Sequence, residues 1–245
     1  MSFLRKILRI FLVAVWFVIS SVLCRCVNHG RKASERSLTW TLFWAKVTAK
    51  ILDLKITLAG DMEDFCGGLI AANHQSALDI LVLAASFRIR FSPKAEMRRW
   101  PLIGFMTQCN DPVWIDRSTP GKAGASARAM SETMKNGQAM LVFPEGTVSD
   151  GKNGLLPFKS TSFQAVLDSR SKVLPVIVSY DAGVRSQVQW VGDRSFLSHV
   201  WQVIGLKKVC VTVYIMKSVS PVPEESRKEL AARVYGIMDQ KWRSL

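Results

Sequence analysis

His74 and Asp79 stand five positions apart, where the apolar stretch Leu69-Ile70-Ala71-Ala72 runs out into Asn73-His74-Gln75-Ser76. An imidazole with a carboxylate on one ring nitrogen has its tautomer fixed and its other nitrogen free to take a proton, the work of a general base. Along a continuous helix five positions would set the two side chains about 140° apart. The pairing therefore requires His74 to lie in the turn before the helix that carries Asp79. The same residues also read as a plain helix start, because Ser76-x-x-Asp79 has the form of a capping box. A second carboxylate-bearing turn is Phe143-Pro144-Glu145-Gly146-Thr147, which follows the apolar Leu141-Val142. Pro144 ends a strand and Gly146 allows close backbone approach to a ligand; an ordinary strand-to-helix turn has the same composition. The other two histidines, His29 in a polar turn and His199 in an amphipathic stretch, read as structural.

Both turns need a scaffold. From about residue 55, short β-branched runs alternate with helical stretches. The patterning predicts strands at 55–58, 68–72, 88–92, 113–115, 139–143, 173–179, 188–191 and 209–215. It predicts helices at 76–86, 121–136, 160–168, 196–204 and 223–242, the last opened by Pro223-Glu224-Glu225. Such alternation argues for an α/β domain with a mixed, largely parallel sheet flanked by helices. Ligands of such sheets bind beyond the carboxyl ends of the strands, where both turns fall. No internal repeat or low-complexity linker divides residues 55–245, which read as one domain.

The chain has 245 residues, 49% of them apolar, and a net charge of +14. That excludes a disordered chain, and five cysteines without zinc-ligand spacing exclude a disulfide-stapled mini-domain or a zinc module. The thiols read as reduced, on the cytosolic side. The first sixty residues hold ten basic residues against Glu35 and Asp53, and also the longest apolar run, Ile10–Cys24. As a helix that run is roughly 22 Å long, and no small-x-small cleavage site follows it. Basic residues flanking an apolar stretch point to an anionic bilayer and away from nucleic acid. Ser34 and Glu35 open a second helix whose Trp40, Phe43, Trp44, Val47, Ile51 and Leu54 share one stripe, read as packing on the core, lying at the membrane interface, or both. Residues 1–54 are thus expected to form a membrane-binding helical segment.

Four blocks carry a family resemblance over roughly residues 70–180. Asn73-His74-Gln75-Ser76-Ala77-Leu78-Asp79 resembles the N-H-x-S-x-x-D box of the lysophosphatidic acid acyltransferase superfamily. Lys94-Ala95-Glu96, Pro101 and Gly104 lead to Val113-Trp114-Ile115-Asp116-Arg117, similar to its hydrophobic-Asp-Arg motif. Phe143-Pro144-Glu145-Gly146-Thr147 resembles its F-P-E-G-T block, and Val173-Leu174-Pro175-Val176 its late Val-x-Pro block.

The resemblance implies a membrane-associated O-acyltransferase of glycerolipids, on the cytoplasmic face of the cell membrane. It would move an acyl chain from acyl-CoA or acyl carrier protein to the free hydroxyl of a lysolipid. Its catalytic pair would be His74 and Asp79. Glu145, Gly146, Thr147, Arg117 and Lys94 would bind the acceptor, Asn73 and Ser76 would serve the oxyanion or shape the site, and Pro175 would lie on the donor side. No cofactor, metal or nucleic acid is implied; the partners are membrane lipids, the lysolipid and the acyl donor. One departure bears on the acceptor. Val148 stands where the family block carries a phosphate-facing arginine, and valine offers an anion nothing. Together with Leu156-Pro157-Phe158-Lys159, this resembles the lyso-ornithine lipid acyltransferase branch. The resemblance thus implies 1-acyl-sn-glycerol-3-phosphate as acceptor, giving phosphatidic acid, with a lyso-ornithine lipid as the alternative and a non-catalytic membrane-docking protein as the rival class.

Overall fold

A computed structural model describes residues 2–28, 35–99, 112–116, 118–192 and 194–245. The expected α/β architecture is present: a six-stranded mixed sheet with helices on both faces. Its strands are β1 (Leu54–Ala59), β2 (Gly68–Ala72), β3 (Ile89–Phe91), β4 (Ala139–Val142), β5 (Lys172–Tyr180) and β6 (Val209–Ile215), in the order β1-β6-β5-β2-β4-β3. Every neighbouring pair is parallel except β5 and β6. The helices are α1 (Ser2–Asn28), α2 (Glu35–Ile51), α3 (Leu78–Ser86), α4 (Pro120–Lys135), α5 (Thr161–Ser169), α6 (Ala182–Val188), α7 (Phe196–Ile204) and α8 (Arg227–Arg243).

β2 is buried along its whole length, as a strand covered on both faces must be, and so reads as an unbroken apolar run. The two-residue side-chain period divides the sheet between two cores. Ile70, Leu141, Leu174, Val176 and Val178 face α2, α3 and α7. Leu69, Ala71, Met140, Val142 and Ile177 face α4, α5 and α8. Because β2, β4 and β5 run parallel, residues 73, 143 and 180 emerge at one edge. That edge carries the chemistry.

α1 and α2 are attached to this body. α2 contributes Ala45 and Ala49 to the core, and Leu52 follows directly after it. The buried face is thus the small-residue side, which lets α2 come close to α3. The expected stripe is half in and half out, with Trp44 against the core and Phe43 49% exposed. α1 takes in the Ile10–Cys24 run and extends beyond it at both ends; its Phe3–Cys24 stretch is long and apolar enough to cross a membrane. The Trp16 indole meets Phe43 edge-on and donates to the Trp44 carbonyl. At its amino end, the Arg5 guanidinium donates to Gly205 O, and Arg9 to the carbonyls of Ile204, Leu206 and Lys207. The Ile204 carbonyl ends α7 and the other three follow it directly, so none has a partner within the helix.

Three expected elements differ. Residues 188–191 form no strand: Val184 and Val188, one helical turn apart, turn inward from α6. Residues 113–115 run beside residues 91–95 through backbone hydrogen bonds, with a single bridge between Lys94 and Ile115. α8 begins at Arg227 rather than Pro223, because the capping box is Ser226 with Glu229, and Glu224 sits at φ 61° outside the helix.

Candidate active site

The turn after β2 is fixed from below by Asn73. Its side-chain amide donates to Val178 O at 3.1 Å and its carbonyl oxygen accepts from Val178 N at 2.7 Å, extending the β2–β5 pairing by one side chain. His74 follows, outside any helix. α3 begins at Leu78, so Asp79 lies in its first turn. The His74 Nδ1 to Asp79 Oδ2 distance is 2.9 Å. The same Oδ2 accepts the backbone N–H groups of Gln75 at 2.6 Å and Ser76 at 2.8 Å. Orienting carboxylate and helix start are therefore one carboxylate oxygen doing both. The reciprocal half of a capping box is absent: the Asp79 N–H goes to the Ser76 carbonyl, and the Ser76 hydroxyl accepts instead from the Leu78 N–H at 3.2 Å.

The second turn holds His74 from the other side. Glu145 Oε1 accepts the His74 N–H at 3.0 Å, and the Ser149 N–H donates to the His74 carbonyl at 2.8 Å. The His74 ring stacks on Phe143, with centroids 4.0 Å apart and planes 13° from parallel. Both backbone groups, one ring face and Nδ1 are thereby occupied. The side chain is 16% exposed, and no hydrogen bond engages Nε2 among the described residues. An imidazole so held can exchange a proton at Nε2 with a molecule arriving at the sheet edge.

Glu145 is buried, and its second oxygen accepts from Ser149 Oγ at 3.0 Å and Leu156 N at 2.9 Å. Burial raises its pKa, and the three donors pull the other way. Both oxygens are committed within the protein, so Glu145 acts here as a brace joining His74 to the 149–156 loop. Gly146 has φ 76°, and a Cβ there would stand 2.6 Å from Lys159 Nζ. Thr147 is exposed beside it.

Other expected site residues are less central. Ser76 is buried, its hydroxyl shared between His199 and the Leu78 N–H, so Asn73 and Ser76 both shape the turn. Lys94 is exposed where residues 94 and 115 bridge. Asp116 binds Ser118 and Lys122 at the start of α4, which holds its pKa at about 2. Arg117, Pro101 and Gly104 lie outside the described residues. Pro175 is buried within β5, opposite Ala71, its carbonyl accepting from Met216 N.

Two participants have no local sequence motif. The Tyr180 hydroxyl donates to Asp79 Oδ1 at 2.6 Å; burial and the neighbouring carboxylate raise its pKa well above the usual value, so it stays a donor. Its position at the carboxyl end of a predicted strand was the available signal. His199 is fully buried, and its Nε2 lies 3.1 Å from Ser76 Oγ and 3.3 Å from Ala77 N.

Comparison with known proteins bears on the family and the fold. A family model described as Acyltransferase matches residues 62–179. The 1-acyl-sn-glycerol-3-phosphate acyltransferase of Neisseria meningitidis serogroup B is 30% identical over 236 residues, which cover 95% of this chain and 91% of that one. The lyso-ornithine lipid O-acyltransferase of Brucella abortus is 30% identical over 204 residues, 77% of this chain and 76% of that one. The crystal structure of the 1-acyl-sn-glycerophosphate (LPA) acyltransferase PlsC from Thermotoga maritima has the same fold, with a TM-score of 0.74, 21% identity, and coverage of 100% of this chain and 97% of that one. With the relatives aligned along most of their own length, and the His74–Asp79 pair and the Glu145 turn brought together at one sheet edge, the chain belongs to the acyltransferase family.

Proposed function

We propose that this protein transfers an acyl group from a thioester, acyl-CoA or acyl carrier protein, to the free hydroxyl of a lysolipid at the cytoplasmic face of a membrane. The observation that carries the reading is the His74 ring, fixed at Nδ1 by Asp79 and on one face by Phe143, with Nε2 left open. His74 Nε2 takes the acceptor's hydroxyl proton as the oxygen adds to the thioester carbonyl. The tetrahedral intermediate collapses, the carbon–sulfur bond breaks, and the imidazolium returns its proton to the leaving thiolate. Asp79 stabilises the imidazolium in between. The scheme forms no covalent acyl-enzyme and calls on neither metal nor cofactor.

The acceptor we favour is 1-acyl-sn-glycerol-3-phosphate, the substrate named for the Neisseria relative, which aligns with nearly the whole chain. Lyso-ornithine lipid is the second reading, favoured by Val148 and by the Brucella relative. Purified protein in detergent, given a labelled acyl thioester and either acceptor, separates the two. Transfer to lysophosphatidate is the expected result, and transfer to lyso-ornithine lipid only would move the assignment to the second reading. His74→Ala should lower kcat by roughly 100-fold or more; near-normal turnover in that variant would overturn the mechanism.

A further inference from the structure

We infer that Lys159 holds the anionic headgroup of the acceptor at the Glu145–Gly146 turn; this rests on the lysolipid reading and deepens it. Val148 leaves the turn without the arginine of the family block, and the fold delivers a cation from farther along the chain.

Lys159 stands fourteen positions beyond Glu145 in sequence. Its backbone N–H donates to the Pro144 carbonyl at 2.8 Å, which fixes where the side chain starts. From there the stem lies over Gly146. A Cβ at residue 146 would meet Lys159 Nζ at 2.6 Å, Cε at 2.8 Å and Cδ at 2.9 Å. The space a side chain would fill is taken by the last three atoms of a lysine. The φ of 76° is what requires glycine here.

The ammonium is laid on this turn without a charge partner. Lys159 is exposed, and no carboxylate lies within ion-pair distance of it among the described residues. The nearby carboxylate in sequence, Glu145, is turned inward, its oxygens occupied by His74, Ser149 and Leu156. The turn therefore presents positive charge outward, two residues beyond the Phe143 ring that supports His74. A lysolipid acceptor with its hydroxyl at His74 Nε2 carries its headgroup a few bonds away. Neutral Val148 and Thr147 beside the turn add no competing charge. Lysine is a compact point charge that suits a phosphate monoester or a carboxylate without fixing which. The ligand chemistry is a headgroup anion, and the acceptor supplies it either as phosphate or as the α-carboxylate of ornithine.

The test measures steady-state kinetics of the full chain in detergent, with Lys159→Gln, Lys159→Arg and the unaltered protein, against lysophosphatidate, lyso-ornithine lipid and phosphate-free monoacylglycerol. Thermal melting of each variant checks that it is folded. For the anionic acceptor that the unaltered protein uses, Lys159→Gln should raise KM roughly 10- to 100-fold, the usual worth of a charge-assisted hydrogen bond. Lys159→Arg should recover most of the loss, and KM for the acyl donor should not move. Preference for the anionic acceptor over monoacylglycerol should fall by the same factor. An unchanged acceptor KM in a folded Lys159→Gln, with the unaltered protein active, would overturn the inference and leave the lysolipid reading intact. A donor KM that rises in step would also overturn it, placing Lys159 on the thioester side. No transfer to any lysolipid by the unaltered protein would defeat the lysolipid reading and this inference with it.

Discussion

Asp79 accepts four hydrogen bonds on two oxygens, from His74, Gln75, Ser76 and Tyr180, and is wholly buried. A buried carboxylate is sustained only by such donors, and their number explains how one side chain can both start α3 and orient a ring. His199 works from the opposite direction. The Ala77 N–H can only donate, so His199 Nε2 must offer its lone pair, the Ser76 hydroxyl donates to the same atom, and the ring proton sits on Nδ1. That Nδ1 finds no acceptor among the described residues. Trp190 covers one face of the ring, Arg194 and His74 oppose a positive charge there, Asp79 favours one, and burial outweighs them all, so the pKa is lowered. A histidine whose folded pKa lies below its unfolded value contributes stability present in full above about pH 6.5 and lost as pH falls from there toward the folded value. Melting temperatures between pH 5 and 8 should therefore fall more steeply on the acid side for the unaltered protein than for His199→Gln, which keeps an acceptor and does not titrate. Parallel curves would mean that His199 is not opposed to protonation.

At the scale of elements, the joint between α1 and α7 is the least expected feature. The Ile204 carbonyl at the end of α7, that of the Gly205 cap and those of Leu206 and Lys207 just beyond converge on two arginines from the other end of the chain. The carboxyl end of a helix is electronegative, so cations belong there, and Arg9 is buried in the joint. Arg9→Gln strips charge and donors from one buried and two part-buried carbonyls, a change worth about 1–3 kcal/mol. Its melting temperature should fall by roughly 2–4 °C for each of those kcal/mol. Arg9→Lys should recover little, since one ammonium cannot span three carbonyls; full recovery would reduce the joint to a simple charge effect. None of this was legible beforehand, because Arg5 and Arg9 read simply as basic residues flanking an apolar run, and their partners lie two hundred positions away. β2 and α7, by contrast, fall where their apolar patterns put them, since each pattern reports the burial of its own residues. α6 did not: the valines of residues 188–191 suit a strand, and only the packing of Val184 with Val188 selects the helix. The site divides likewise. His74, Asp79 and Glu145 sit in contiguous motifs, whereas Tyr180 and His199 act through contacts that exist only once the sheet edge is assembled.

The whole molecule presents an apolar row that its own fold does not cover. Phe3, Leu4, Leu8, Phe11, Val18 and Val22 of α1 are all more than half exposed, and Leu197 of α7 is 77% exposed. Phe3 meets Trp201 edge-on, and the Lys6 ammonium lies 4.8 Å from the centre of the Trp201 ring, so the exposed face of α1 continues onto α7. Soluble monomers rarely leave so long an apolar row to water. The basic surplus of the chain adds attraction to an anionic bilayer, but that attraction is screened within about 3 Å at 1 M salt. Burial of apolar side chains in a bilayer is not. The two contributions can therefore be separated by flotation of the full chain with anionic vesicles at low salt and at 1 M NaCl. The unaltered protein should stay with the vesicles at both. Phe11→Glu combined with Val18→Glu, which places charges in the exposed row and touches no buried contact, should still bind at low salt and wash off at 1 M. If the unaltered protein washes off as well, charge alone holds it, and the row on α1 and α7 must be covered by something other than lipid.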